Sequence, residues 1–142
     1  MLKGIDPLLR GELLHHLSNM GHGEQLAIVD RNFASYRYGC PVVDLGEVGA
    51  ARVAQAICSV FPLDQFADQP ASRMAYDDDP SQTNEAHAGV LAAVHGQMPG
   101  IEFDVVNRPD FYSRMEGVSL IVNTLESAPY ACFILQKGVI LD

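Results

Sequence analysis

The stretch MGHGEQLAIVD, residues 20–30, decides the fold class because it joins the predicted end of a helix to a predicted buried strand. Its second half is a short apolar run that ends in a carboxylate, which is typical of a strand covered on both faces of a sheet. Before it, residues 7–20 carry leucines at helical spacing and predict a helix. We expect Asp6 to be its N-cap, Pro7 its first helical residue and Gly21 its left-handed C-terminal residue.

The alternation of helices and strands continues along the chain. Further helices are predicted over residues 47–61, 81–97 and 109–115, and further strands over residues 42–43, 70–76, 103–106, 118–124 and 130–135. This order predicts a layered α/β fold in one domain, residues 1–142, because strands and helices that alternate pack as layers. Only residues 125–129 separate the last two strands, which makes these strands candidates for neighbours in the sheet.

Composition excludes several classes of partner. The 142 residues are 48% hydrophobic and 19% charged, which is enough apolar material for one core and too much for a disordered chain. The formal net charge is -9. An acidic surface repels nucleic-acid phosphates and anionic lipid headgroups, so we predict neither nucleic acid nor a membrane as a partner.

Targeting and redox features predict a cytoplasmic protein. No apolar run approaches the roughly 18 residues that a bilayer span needs, and the first residues lack the basic-then-apolar pattern of a signal peptide. Cys40, Cys58 and Cys132 are odd in number and widely spaced, which favours reduced thiols over a disulfide framework.

His22 is the strongest candidate for an acid/base residue. Gly21 and Gly23 flank it between the first helix and the first strand, where they leave the imidazole uncrowded. Histidine titrates near neutral pH and therefore both donates and accepts protons. From these residues alone, a surface loop histidine without a role is an equally good interpretation.

Two polar residues follow predicted strands at the end where ligands of open α/β sheets bind. Asp30 ends the first strand, and its carboxylate is suited to accept hydrogen bonds from sugar hydroxyls; a cap of the following turn is the alternative. Arg108 ends a later strand, and its guanidinium is suited to donate a forked set of hydrogen bonds. A surface ion pair is the alternative for Arg108.

The last predicted strand opens with Tyr130, Ala131 and Cys132, which are candidates to line a pocket, although a buried edge of the sheet is the default interpretation. No HxH, HExxH or Cys/His cluster predicts a metal site, and no glycine-rich phosphate loop predicts a nucleotide, so we expect no cofactor. The other histidines are predicted on helix surfaces, at His15, His16, His87 and His95.

Several segments follow a family pattern in order along nearly the whole chain. They are residues 1–9 (MLKGIDPLL), 12–14 (ELL), 20–23 (MGHG), 28–33 (IVDRNF), 107–108 (NR) with 111–112 (FY), 130–131 (YA) and 135–139 (LQKGV). Together they resemble the L-fucose mutarotase and D-ribose pyranase family, and the L-fucose mutarotases more closely. The ordered set is more specific than any single motif.

The resemblance implies a three-layer α/β/α fold with a mostly parallel central sheet and helices on both faces. It implies His22 as the catalytic acid/base residue, no cofactor, and a ring-like homo-oligomer, often a decamer, with sites near subunit boundaries. The residues that it assigns to sugar binding are Asp30, Arg108, Tyr130, Ala131 and Cys132.

Three positions depart from the family pattern. The family usually has an acidic pair after the His-Gly, where this chain has Glu24 and Gln25. It usually has Gly where Leu125 precedes Glu126, and Asn where Cys132 stands. A thiol does not reproduce the paired donor and acceptor of an amide, so Cys132 bears on which sugar is bound.

We therefore predict a cofactor-independent isomerase, a monosaccharide mutarotase that interconverts the anomers of a sugar such as L-fucose, and pyranose and furanose forms where a different hydroxyl closes the ring. His22 donates one proton, and Tyr130, Asp30 or a bound water accepts the other. One alternative is a non-catalytic monosaccharide-binding or sensing module with the same fold. Another, from a different class, is an α/β assembly protein without a small-molecule ligand.

Overall fold

The computed structural model describes the whole chain, residues 1–142, as strands, α-helices and one short 3-10 helix. The strands are β1 (Gln25–Val29), β2 (Val42–Asp44), β3 (Ala71–Met74), β4 (Asp104–Val106), β5 (Leu120–Asn123) and β6 (Phe133–Gln136). The α-helices are α1 (Gly11–Asn19), α2 (Ala50–Cys58), α3 (Glu85–His95) and α4 (Arg108–Met115), and the 3-10 helix covers Ser35–Tyr38. None of these helices is long and apolar enough to cross a lipid bilayer.

The six strands form one mixed sheet in the order β2-β5-β1-β6-β3-β4. The pairs β1–β5, β2–β5 and β3–β4 are parallel, whereas β6 is antiparallel to both β1 and β3. Five strands therefore point one way, and the prediction of a mostly parallel sheet is confirmed. We call the end of the sheet where these five strands finish, and β6 begins, the carboxyl end; the opposite end is the amino end.

Helices cover both faces of the sheet, which confirms the three-layer α/β/α prediction. The larger core lies between the sheet and α1, α2 and α3, and the smaller core lies under α4. In β1, Leu26 and Ile28 face the larger core, while Ala27 and Val29 face the smaller one. The apolar run of β1 is thus explained by burial on both faces.

The first helix begins later than its sequence predicts. Asp6 does not cap α1; its carboxylate accepts the N–H of Leu8 at 3.0 Å and pairs with Arg52 at 2.8 Å. The helix starts instead at Gly11, after Arg10, whose side chain makes no cap. An aspartate that bonds the N–H two residues on stabilises a turn, and here that turn competes successfully with the helix.

The end of α1 is capped by a lysine from a distant segment. Met20 is extended and Gly21 is not left-handed, so the predicted glycine cap is wrong; Gly23, at φ 85°, is the left-handed residue. The Lys137 ammonium donates to the carbonyl oxygens of Leu17 and Met20, at 2.6 and 2.5 Å. A cation near the helix C-terminus satisfies the last carbonyls that a left-handed glycine would otherwise satisfy.

Most of the other predicted elements are present with shorter bounds, whereas β2 and α4 are each one residue longer than predicted, and the last strand is shifted. That strand begins at Phe133, because Tyr130 is left-handed at φ 58° and cannot continue an extended chain. The two last strands are also not neighbours, since β1 lies between β5 and β6. The segment 125–129 must therefore cross over β1. The short separation of the two strands in sequence did not predict their positions in the sheet.

Candidate functional site

The carboxyl end of the sheet brings together four predicted site residues from three distant segments. A cavity of about 250 Å³ is lined there by Asp30, Arg108, Tyr130 and Cys132. Asp30 follows β1, Arg108 follows β4, and residues 130 and 132 precede β6. Because β6 runs antiparallel to β1 and β3 on either side of it, its beginning lies beside the ends of these two strands.

Asp30 and Cys132 contact each other in the cavity wall. The Cys132 thiol donates to Oδ2 of Asp30 at 3.5 Å, and the N–H of Asn32 donates to Oδ1 at 2.9 Å. Burial, together with the nearby Asp30 carboxylate, raises the pKa of Cys132 well above its ordinary value, so the thiol stays protonated. A carboxylate offers about four acceptor positions, so Asp30 keeps acceptor capacity for hydroxyl groups of a ligand.

Tyr130 is held in an unusual backbone conformation by contacts on both sides. Its carbonyl accepts a hydrogen bond from Nε2 of His87 at 2.9 Å, and the preceding Pro129 carbonyl accepts one from Asn84 at 2.9 Å. Its hydroxyl donates to Asp77 at 3.3 Å. Burial and the Asp77 carboxylate raise the pKa of Tyr130, so the phenol is a protonated donor at neutral pH.

His87 is a core residue rather than the helix-surface group that its sequence predicts. It is 2% exposed, and its Nδ1 lies 3.4 Å from the hydroxyl of Thr83. Burial lowers the pKa of His87, which favours a neutral ring that donates from Nε2 to Tyr130. Of the other predicted surface histidines, His15 is exposed and His16 and His95 are half-buried.

Arg108 is the first residue of α4, and the structure leaves its charged group free. Its backbone N–H donates to Asp78 at 2.8 Å, while Asn107 caps the helix by accepting the N–H of Asp110 at 3.0 Å. The guanidinium is exposed and takes part in no salt bridge. The ion-pair interpretation of Arg108 is therefore wrong, and its donors are available to a ligand in the cavity.

Ala131 differs from its neighbours because its side chain lies away from the cavity. It is fully buried in the larger core, on the face of the sheet opposite to Cys132. Only the backbone of Ala131 can therefore contribute to a site at this position.

His22 lies at the amino end of the sheet, away from the other predicted site residues. Its Nε2 lies 3.1 Å from Oδ2 of Asp64, and half of the side chain is exposed. Its loop is fastened where the N–H of Gly23 donates to the carbonyl of Lys137 at 2.8 Å. Strand β1 separates the loop from Asp30, and the six residue steps from Glu24 to Asp30, at about 3.3 Å each, amount to roughly 20 Å. Within one chain, His22 and the cavity are not one site.

A second, larger cavity offers less chemistry. It measures about 590 Å³ and lies between α2 and α3, lined mainly by small residues. Its one thiol is Cys58, and burial raises the pKa of that thiol to about 12. The structure also contains no cluster of three His, Cys, Asp or Glu side chains that would hold a metal ion.

Comparison with known proteins places these residues in a family. The sequence profile of the RbsD / FucU transport protein family matches residues 3–140. This chain belongs to that family. It is 34% identical over 143 residues to the L-fucose mutarotase of Actinobacillus pleuropneumoniae serotype 5b (strain L20), which covers 98% of this chain and 97% of the relative.

Solved structures of the RbsD / FucU family share the fold. FucU from Bifidobacterium longum has a TM-score of 0.90 at 31% identity, over 98% of this chain and 100% of that chain. The fucose mutarotase from Streptococcus pneumoniae, solved in complex with L-fucose, has a TM-score of 0.82 at 26% identity, over 99% and 100% of the two chains.

Part of the site is not predicted by the sequence. Asp77, Asp78 and His87 hold Tyr130 and Arg108 in place, and Asp64 contacts His22. The acidic turn that contains Asp77 was visible in the sequence, but nothing in it indicated contact with Tyr130. The remaining residues that line the cavity are Asn32, Phe33, Met74, Tyr112 and Pro129.

We predict that His87 makes the protein less stable in mild acid. The unfolded histidine titrates near pH 6.5, whereas burial lowers its pKa in the folded state. Below about pH 6.5 the unfolded chain therefore binds a proton that the folded chain does not, and the free energy of unfolding falls. Urea unfolding between about pH 7.5 and 5.5 should show a shallower pH dependence for His87→Gln than for wild type. Equal slopes, with His15→Gln as the exposed control, would contradict this assignment.

Proposed function

We propose that this protein is a monosaccharide mutarotase, an isomerase that interconverts the anomers of a sugar such as L-fucose by general acid/base catalysis of ring opening. The observation that carries the proposal is the cavity at the carboxyl end of the sheet, where acceptors on Asp30 and Tyr130 lie together with the donors of Arg108. The names of the relatives, an L-fucose mutarotase and a fucose mutarotase bound to L-fucose, support the same class of substrate.

The chemistry of the reaction suits such a site. A cyclic sugar changes anomer through its open aldehyde, which requires a proton on the ring oxygen and removal of a proton from the anomeric hydroxyl. Closure on the other face reverses both transfers. No electron or phosphoryl group moves, so acid/base side chains suffice and we propose no cofactor. One positioned acid/base group contributes on the order of 10²–10⁴-fold to such a reaction.

The dimensions and charge of the cavity favour a small neutral ligand. Pockets for drug-sized ligands measure about 300–1,000 Å³, and this cavity measures about 250 Å³. Asp30 retains acceptors for hydroxyl groups, and the Tyr130 oxygen, whose hydrogen is donated to Asp77, is a further acceptor, while the Arg108 guanidinium donates. A monosaccharide offers hydroxyls that both donate and accept, whereas an anionic sugar phosphate would meet a chain of net charge -9.

We propose that His22 acts in the cavity of a second copy of the chain. Roughly 20 Å of sheet separates His22 from Asp30 in one chain, so a shared site between subunits is the arrangement that joins them. Exposed aromatic groups lie at both places: Phe66, 66% exposed, beside His22, and Tyr112, 40% exposed, in the cavity wall. We expect a closed homo-oligomer, a decamer by resemblance to the family, because closed symmetry repeats one such contact around a ring.

The proposed cellular setting is the cytoplasm. No disulfide joins any of the three cysteines, Cys40, Cys58 and Cys132. Reduced thiols are the usual state in that compartment.

A non-catalytic monosaccharide-binding module remains the second candidate, and Cys132 is the observation that favours it. Its thiol contacts Asp30 where the family usually has an amide, so one hydrogen-bonding group for the sugar is absent. Such a module would bind the sugar in the cavity without accelerating anomer exchange. Exchange NMR distinguishes the two functions directly.

We predict that His22→Gln reduces the acceleration of L-fucose anomer exchange by about 10²-fold or more, because the proposed proton carrier is removed. The measurement is saturation transfer between the two anomeric proton signals at catalytic concentrations of protein. Sugar binding should persist, since the cavity residues are unchanged. His15→Gln, an exposed histidine on α1, is the matched control and should behave as wild type. Wild-type exchange in folded His22→Gln would refute the assignment.

We predict that Cys132→Asn tightens the binding of L-fucose or D-ribose, or speeds its exchange. The side chain lies in the cavity wall, and a polar group of the substrate left without a partner costs about 1–3 kcal/mol. Cys132→Ser is the control, because it supplies a hydroxyl but not the paired donor and acceptor of an amide. A panel of aldoses should be measured with all three proteins. Unchanged affinities and rates throughout would show that residue 132 does not contact the sugar.

A further inference from the structure

The amino end of the sheet holds a buried carboxylate that the proposed reaction has not yet used. Asp64 is 3% exposed and lies between α2 and β3. Its Oδ2 accepts from Gln136 at 2.8 Å and lies 3.1 Å from Nε2 of His22, while its Oδ1 accepts the N–H of Phe66 at 3.0 Å. Three donors therefore converge on one carboxylate, and one of them is the proposed acid/base residue.

The hydrogen bonds to Asp64 have a fixed direction. The amide of Gln25, the first residue of β1, donates to the side-chain oxygen of Gln136 at 3.1 Å. This leaves the amide nitrogen of Gln136 to donate to Asp64. Each group in the series donates to the next, and the series ends on an ionised carboxylate that only accepts.

The backbone around Asp64 is held rigidly against the segment that follows β6. The N–H of Asp64 donates to the Gln136 carbonyl at 3.1 Å, and the N–H of Gly138 donates to the Pro62 carbonyl at 2.8 Å. A Cβ at position 138 would lie 2.5 Å from the Leu63 carbonyl oxygen, so only glycine permits this approach. The carboxylate is thus positioned by main-chain contacts that do not depend on His22.

We propose that Asp64 is the positioning residue for His22, and that it fixes the ring so that Nε2 carries a proton and Nδ1 is the nitrogen that exchanges protons with the sugar. Because Asp64 only accepts, the neutral imidazole must donate from Nε2, which leaves the lone pair on Nδ1. Phe66 packs edge-on against the ring, at 6.1 Å between centroids, and restricts it further. The inference rests on the proposed mutarotase function.

The charge of Asp64 serves the same step. The hydrogen bond from Gln136, with those from Phe66 and His22, lowers the pKa of Asp64, so the carboxylate is ionised at neutral pH. After Nδ1 takes a proton, the resulting imidazolium lies against a negative charge, as in other Asp–His pairs. The other charged groups at this loop are committed elsewhere: Glu24 accepts the N–H of Gly21, and Lys137 donates to the end of α1.

The test compares Asp64→Asn with Asp6→Asn. Both aspartates accept the N–H two residues on and a side-chain donor, but Asp6 pairs with Arg52 on the surface, away from His22. An amide at position 64 offers one acceptor oxygen to three donors and carries no charge, so its hold on the imidazole weakens. Loss of a group that orients a functional imidazole costs about 10–100-fold in other sites. We expect a loss of that size in the L-fucose exchange rate for Asp64→Asn, with KM nearly unchanged, and none for Asp6→Asn.

A second measurement reports the ring directly and does not depend on activity. Long-range ¹H–¹⁵N correlation spectra should show that the neutral His22 ring has Nε2 protonated and Nδ1 unprotonated. Asp64→Asn should lose this single form, whereas Asp6→Asn should keep it. If Asp64→Asn does not fold, the wild-type spectrum alone decides.

The outcomes separate the two proposals. Wild-type protein that does not accelerate exchange overturns the mutarotase function, while the spectrum of His22 still tests the role of Asp64. Wild-type exchange rates in folded Asp64→Asn overturn the positioning role. A proton on Nδ1 of neutral His22, or a mixture of the two neutral forms of its ring, overturns it as well.

Discussion

The position of β6 between β1 and β3, antiparallel to both, is the constraint on which the arrangement of the candidate site depends. Its beginning carries Tyr130 and Cys132 to the carboxyl end of the sheet, where they meet Asp30. Its last residue, Gln136, binds Asp64 at the amino end and so reaches His22 through that carboxylate. One strand thus connects two separate sets of polar residues and also holds them apart by its own length.

The two ends of the sheet use a carboxylate in opposite ways. Asp30 receives a backbone N–H and a weak thiol donor, which leaves acceptors for a ligand. Asp64 already accepts from three donors and is buried, which closes it to substrate. The same side chain therefore suits sugar binding at one end and the orientation of His22 at the other. The difference arises from the number of donors that the fold directs at each carboxylate.

Local sequence patterns predicted the elements of the fold but not their pairing. The buried strand ending in Asp30 was readable because its apolar run is continuous, and helices were readable from their spacing. The start of α1 was not, since Asp6 stabilises a turn instead of the helix. Three other features were not predicted because they depend on residues far apart in sequence. They are the position of β1 between β5 and β6, the burial of His87 against Tyr130, and the contact of Asp64 with His22. Periodicity and spacing carry no information about such contacts.

Subunit mixing tests most directly whether His22 of one copy completes the sugar cavity of another, as proposed. His22→Gln and Asp30→Asn proteins should each be inactive alone. Co-refolded in equal amounts, they should regain activity, because random assembly gives roughly a quarter of shared sites both wild-type residues. Mass spectrometry would establish that mixed oligomers have formed. Mixed oligomers without regained L-fucose anomer exchange would contradict the shared site.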